Sequence, residues 1–332
     1  MNTTATYRMS TIITERQNVH RRNTFHPVDW PTLKQQWANE REWKNDVDSV
    51  SIWSDDVGDD DHRSDYGPRE GIARMLTVYP VRDAAWITAV AFMLGGVAFT
   101  TAALFTLLPL LFPQLAFPGQ QEVAFPAALT TGSAFFFIGG NLATLGAFNV
   151  GRGPEPADEA MIKKKSKYNP ALLGSKEWVW FPPWSDFKAN YLSNPAFRGG
   201  VIATTGGYVL TSATIIGFPG VLDDKAPDFL DQFKRFVMTP LLIGASFLGI
   251  GALVLTLVIQ ERWYKPAIFL VAWHSTFWNV VGAAFLAASA ALTILGPGLE
   301  LQSAIATTAS SLSFITAASL QWYKLMEFYP RD

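Results

Sequence analysis

The side chains that can ligate a metal or attack a substrate are few. The chain has no cysteine. That removes disulfides, thiolate zinc sites, iron–sulfur clusters and a cysteine nucleophile. Its four histidines are His20, His26, His62 and His274. Only His274 lies near a long apolar run. A di-iron hydroxylase or a bis-histidine haem bundle needs several histidines facing one another, so neither chemistry fits. No Walker sequence, Ser–His–Asp arrangement or metal-ligand spacing appears. The expectation is a protein without cofactor, metal or catalytic residues, and not an enzyme.

Three polar residues stand out by position. His274 belongs to Trp273–Ala284, W-H-S-T-F-W-N-V-V-G-A-A. A span of about 20 residues through this run leaves His274 at headgroup level. There it is either an interfacial ring between tryptophans or a group contacting protons or phosphate. Asn279 stands with Gly282, Ala283 and Leu286 at i, i+3, i+4 and i+7, hence on one helix face. Small residues let helices approach, and a buried amide can bond across the contact for about 0.6 kcal/mol. The other reading is a substrate or ion ligand. Asn141, in an earlier run, carries the same two readings, and the two amides are candidates to meet. Ala245/Gly249 and Ala283/Ala287 repeat the small-xxx-small spacing of packed spans.

The elements that hold these residues are membrane spans. Lys265 is the last charge before the His274 run and Glu300 the first after it, so 34 residues pass without a formal charge. Such a stretch belongs in a bilayer. The chain is 16% charged, against about 25% in soluble domains, and most charges lie in residues 1–83 and 151–198. Six apolar runs remain, at about 84–112, 125–150, 199–222, 236–260, 268–295 and 301–323. The expected fold is all-α, a polytopic bundle of six transmembrane helices. Turns Phe117-Pro118-Gly119, Phe218-Pro219-Gly220 and Gly296-Pro297-Gly298 follow the odd-numbered runs, which suggests three hairpins of one pattern. No carboxylate, lysine or arginine lies within the spans. That argues against a proton-coupled pump, though not against a facilitator using amides and carbonyls.

Residues 1–83 read as a polar, disordered cytoplasmic tail with an acidic cluster from Asp55 to Asp65. Residues 33–45 within it form either a transient helix or a docking segment for a protein partner or the membrane surface. The loop 151–198 carries Lys163, Lys164, Lys165 and Lys167, followed by Trp178, Trp180 and Trp184. Lysines followed by tryptophans suit a segment lying on anionic lipid. The alternative is a soluble loop packing its tryptophans on the tail. The formal net charge of −2 gives no pull toward nucleic acid.

Basic residues set the orientation. The second connection holds seven lysines and arginines between Arg152 and Lys188, and the fourth holds Arg262 and Lys265. Arg69, Arg74 and Arg82 precede the first span, and Lys324 and Arg331 follow the last. These sides agree if both termini and the loop 151–198 are cytoplasmic. Which membrane holds the protein is left open.

The pattern W-H-x-x-F-W-N-x-x-G-A at Trp273 to Ala283 resembles one in a group of uncharacterised fungal integral membrane proteins. The closing Q-W-Y-x-x-x-x-x-Y-P at Gln321 to Pro330 does too. Trp-Phe-Pro-Pro-Trp with Tyr191-Leu192, and the Pro-Gly turn after the first span, are similar as well. The resemblance covers about Ala84 to Pro330. It implies a six-helix fungal membrane protein and no activity or site residues. Two readings of function follow. One is a non-enzymatic membrane component that organises lipid or partner proteins. The other is a small-molecule facilitator or transporter. A polar path joining Asn141 and Asn279 to both faces would favour the second, and a closed apolar bundle the first.

Overall fold

A computed structural model describes residues 68–154, 168–260 and 262–329. His20, His26, His62, the acidic cluster, segment 33–45 and Lys163, Lys164, Lys165 and Lys167 lie outside the described residues. Seven helices carry the fold of the described part: α1 Pro68–Thr77, α2 Ala84–Leu111, α3 Phe125–Asn149, α4 Pro195–Ile216, α5 Thr239–Ile259, α6 Val271–Leu295 and α7 Glu300–Phe328. Among the described residues there is no β-strand. Helices α2 to α7 are each long and apolar enough to cross a membrane. The protein is an all-α polytopic bundle.

Local chemistry sets the helix ends. Asp83 caps α2, accepting from the Ala85 N–H at 2.8 Å, which satisfies one of the open donors of a first turn. Asn194 caps α4 by accepting from the N–H groups of Ala196 and Phe197, with Pro195 at the first position. The third span therefore starts before residue 199, and Arg198 sits in its first turn with its side chain exposed. Each Pro-Gly turn ends on a glycine with positive φ, Gly119 at 76°, Gly220 at 84° and Gly298 at 92°. Backbone in that region strains any side chain, which explains why the same residue recurs at these turns.

The six spans pack as three hairpins, α2–α3, α4–α5 and α6–α7, and these are the most extensive contacts. The hairpins then join edge to edge. α5 packs on α6, α7 returns to α2, and α3 meets α4. The main contacts thus run round a closed ring, and α3–α4 is its least extensive seam.

Small residues bring the hairpin arms together. On α4 and α5, Gly199 faces Gly251 and Gly206 faces Gly244, seven residues apart on both helices. Between α2 and α3, phenylalanine rings cover glycines: Phe136 on Gly95, Phe99 on Gly132 and Phe92 on Gly139. The α6–α7 pair is joined by hydroxyls. Ser275 donates to the Ala317 carbonyl at 3.1 Å and Ser310 to the Gly282 carbonyl at 2.7 Å. Ser289, Thr293, Ser303 and Thr307 form a further cluster between the helices.

Two expectations are corrected. Residues 68–83, assigned to the tail from their polarity, are folded. Helix α1 lies on α7, with Gly71 under the Tyr323 ring and Arg74 donating to the Tyr329 carbonyl at 2.8 Å. The glycine lets the ring approach, and the arginine caps the end of α7. Trp178, expected at a membrane surface, is buried beside Ala84 and Ala171. Its loop is stitched to the ring. The Asn149 amide donates to the Val179 carbonyl and accepts from the Val179 N–H, both at 2.8 Å. The Leu173 N–H donates to the Arg82 carbonyl at 2.7 Å, and Arg82 Nε returns a bond to the Leu173 carbonyl at 3.0 Å. Phe148, Phe187, Tyr191 and Phe197 pack as an aromatic cluster beside it. Trp180 and Trp184 are exposed, at 65% and 66%.

Candidate functional site

The ring surrounds a partly open cavity of about 900 Å³. Its lining on α2 runs from Ala84 to Thr106, about 33 Å at 1.5 Å per residue. That matches the hydrocarbon core of a bilayer, about 30 Å thick. One end is floored by Tyr168, Pro170, Ala171 and Trp178 of the loop. The other is bordered by Leu230, Phe233, Pro297 and Leu299, which belong to the connections on that side. The volume would accommodate roughly 30 waters at liquid density.

Just over half of the lining is alanine, glycine, phenylalanine and leucine, with hydroxyls interspersed and the charged Asp83, Lys234, Glu300 and Lys324 among the rest. Most of those hydroxyls are already engaged. Thr106, Thr144, Thr211, Thr214, Thr276 and Thr307 each donate to a carbonyl of the preceding turn of their own helix. Ser275 and Ser310 donate across to the partner arm of their hairpin. A hydroxyl whose proton is committed to a carbonyl no longer donates elsewhere, although its oxygen still accepts.

Asn279 does line the cavity, while Gly282 and Ala283 turn into helix contacts and are buried. Its Nδ2 donates to the Ser275 carbonyl at 2.9 Å on its own helix. It is therefore no cross-helix glue, which corrects that reading. Burying a free amide is costly, and the nearest acceptor was one turn back. Asn141 is not in the lining. Its Nδ2 donates to the Phe137 carbonyl at 2.8 Å, and its Oδ1 accepts from the Tyr208 hydroxyl at 2.7 Å. The two amides are engaged separately and do not meet, so no polar path joins them. His274 donates from Nε2 to the Ile268 carbonyl at 2.7 Å and sits edge-on to Trp273. That pins the entry of α6. Trp273 donates from Nε1 to Gln260 Oε1 at 2.8 Å and stacks on Phe277, tying α5 to α6.

The floor holds the strongest electrostatic feature. Asp83 is 1% exposed and accepts from the Tyr168 hydroxyl at 2.7 Å. Burial pushes the Asp83 carboxyl above its usual value, partly offset by the Tyr168 hydroxyl and the backbone N–H groups of Ala85 and Trp86. Burial, and then the charge of Asp83 beside it, push the Tyr168 phenol well above its usual value. Sequence reasoning passed over this pair because the partners are 85 residues apart. It also passed over the hydroxyl face of α7, although Ser303, Thr307, Ser310, Phe314 and Ala317 recur at helical spacing. That periodicity was the available signal.

Among the described residues no group of histidines and carboxylates could hold a metal ion. Compared with known proteins, the chain matches no family model, no curated protein and no solved structure.

Proposed function

We propose that this protein is a non-enzymatic, multi-pass membrane component whose helical ring holds a lipid. One observation carries the reading: the interior cavity of about 900 Å³, as long as a bilayer core and lined mostly by apolar groups, with hydroxyls, Asn279 and Gln321 among them and Asp83, Lys234, Glu300 and Lys324 also on the lining. An apolar or amphipathic molecule gains free energy there by burying its chain against the apolar lining, out of water. A facilitator for an apolar solute is the second reading. It is favoured by a lining that extends from Tyr168 at one end to Glu300 at the other. A facilitator for polar solutes is disfavoured, because Asn141 and Asn279 form no joint path.

The proposal places both termini and the basic loop in the cytoplasm, following the distribution of lysine and arginine. Lys163, Lys164, Lys165 and Lys167 would meet anionic headgroups there, as would Trp180 and Trp184, which are exposed. The N-terminal tail is proposed as the site for a protein partner. The resemblance to fungal integral membrane proteins is part of this proposal and contributes no activity to it.

The test is gentle purification from the native membrane, followed by mass spectrometry of the intact protein and of its extracted lipids. The expected result is a lipid retained in a fixed ratio, lost only with a drop in thermal stability. Protein that carries no lipid and is equally stable after detergent exchange would overturn the reading.

A further inference from the structure

We infer that the seam between α3 and α4 is a lateral portal through which a phospholipid acyl chain enters the cavity from the bilayer. The inference rests on the lipid-holding reading above and adds the route. Three observations meet at this seam.

First, loop residues line both ends, Tyr168, Pro170, Ala171 and Trp178 one and Phe233, Pro297 and Leu299 the other. The wall between α3 and α4 faces the hydrocarbon directly, so it is the route for an apolar occupant. Second, α3–α4 is the least extensive contact in the ring. The glycines of the other seams are filled by neighbouring atoms, as at Gly132, Gly206, Gly251 and Gly282. At this seam, Cβ atoms built on Gly200 and Gly207 would meet nothing within 4 Å, and one on Gly140 would meet only Thr204, at 4.0 Å. Third, the cavity reaches the outer surface here. Phe137, Val201 and Tyr208 line the cavity and are also exposed, at 43%, 40% and 43%. All three lie within membrane-spanning helices, so the medium outside them is lipid hydrocarbon. That continuity selects an acyl chain as the occupant.

The seam is closed by few bonds. Ser133 donates to Thr214 at 3.1 Å, the Tyr208 hydroxyl to Asn141 at 2.7 Å, and Thr144 and Thr204 meet at 3.3 Å. The five hydroxyls of these bonds, on Ser133, Thr144, Thr204, Tyr208 and Thr214, all lie on the cavity lining. Hydrogen bonds between spans are weak, about 0.6 kcal/mol on average, and those of Thr144 and Thr214 to their own helices persist when the seam parts. Asn141 likewise keeps its bond to the Phe137 carbonyl. Parting therefore strands few polar groups in hydrocarbon, which is what a portal needs. Asn141, which stood out in the sequence as an isolated amide in a span, becomes the latch for Tyr208.

The absence of native cysteine makes a direct test available. The pairs Ser133→Cys/Thr214→Cys and Thr144→Cys/Thr204→Cys place thiols where hydroxyls now touch. Purified protein in nanodiscs is mixed with vesicles of acyl-deuterated phosphatidylcholine, and replacement of bound lipid is followed by mass spectrometry. Oxidation of either pair should slow exchange about tenfold or more at unchanged bound lipid, and dithiothreitol should restore it. The pair Ser289→Cys/Ser303→Cys, at 3.0 Å between α6 and α7, should leave exchange unchanged when oxidised. Should the double variants fold poorly, Gly207→Leu fills the open slot with one substitution and should slow exchange without lowering the melting temperature. Wild-type exchange in the locked and the Gly207→Leu proteins would overturn the portal while leaving the cavity reading in place. Protein that binds no deuterated or native lipid before locking would overturn the cavity reading itself. Disulfide-linked dimers of a single Tyr208→Cys variant in membranes would reassign the seam to a second copy of the chain and sink the portal.

Discussion

Gly206 and Gly207 are neighbours on α4, yet alanine at these two positions is expected to act in opposite directions. A Cβ on Gly206 would stand 2.6 Å from the Gly244 carbonyl oxygen and 2.7 Å from the Leu248 nitrogen. Both atoms are backbone, so no side chain can swing away. Ordinary contact begins near 3.4 Å. The helices must therefore part by the difference between 3.4 and 2.6 Å, about 0.8 Å. A gap of that size forfeits about a quarter to a half of the dispersion energy of each contact. The loss spreads along the pair, because Gly199 and Gly251 share the same close register. Overpacking of this kind costs about 1–3 kcal/mol, and the better helix propensity of alanine returns at most about 1 kcal/mol. Gly206→Ala should thus be destabilising by up to about 2 kcal/mol in total. Gly207 has nothing within 4 Å, so only the propensity gain remains and Gly207→Ala should be neutral or stabilising. Melting curves in one detergent, read by tryptophan fluorescence, compare the two. A Gly206→Ala protein that melts at or above Gly207→Ala would show that the α4–α5 glycines are not what sets the approach of these helices.

Three more outcomes are expected. Asn279→Ala should cost little, at most about 1 kcal/mol, because its amide bonds only to the Ser275 carbonyl of its own helix; Gly282→Leu should cost more, since its Cβ would lie 2.8 Å from the Phe314 ring, and the same melting assay ranks them. For Asp83, burial raises the native carboxyl above its ordinary value of 3.8, so the folded protein keeps this proton to higher pH than the unfolded one. Unfolding free energy should then fall as pH rises from about 4 through the raised native value and level off above it, and Asp83→Asn should remove that slope; a wild-type slope of the opposite sign, or one that survives in Asp83→Asn, refutes the assignment. Topology is checked by placing glycosylation acceptors: sites at residues 120 or 226 should be modified and a site at residue 160 should not, with modification at 160 alone contradicting cytoplasmic termini.

The sequence by itself determined the spans, since a run that avoids charge for the thickness of a bilayer has no other stable place. It also determined the Pro-Gly turns, whose glycines all proved to need positive φ. What it did not determine was which side of each span faces inward. In a soluble helix the polar face marks the outside. In a span, lipid and protein interior are both apolar, so alternation of hydrophobicity carries almost no signal. Asn141 and Asn279 illustrate the consequence. They are the same residue type in similar apolar runs, yet one latches a tyrosine at an outer seam and the other lines the cavity. Small residues were the better guide, and they served Gly282 and Ala283 well. The loop after α3 was beyond sequence reasoning for a different reason. Its lysines and tryptophans suggested a membrane surface, but Asn149 and Arg82 offered backbone partners that fold it under the ring. Those partners are set by where the helix ends converge. Only the tertiary structure brings Asp83 to Tyr168 and closes six helices around a cavity, because both depend on contacts between residues far apart in the chain.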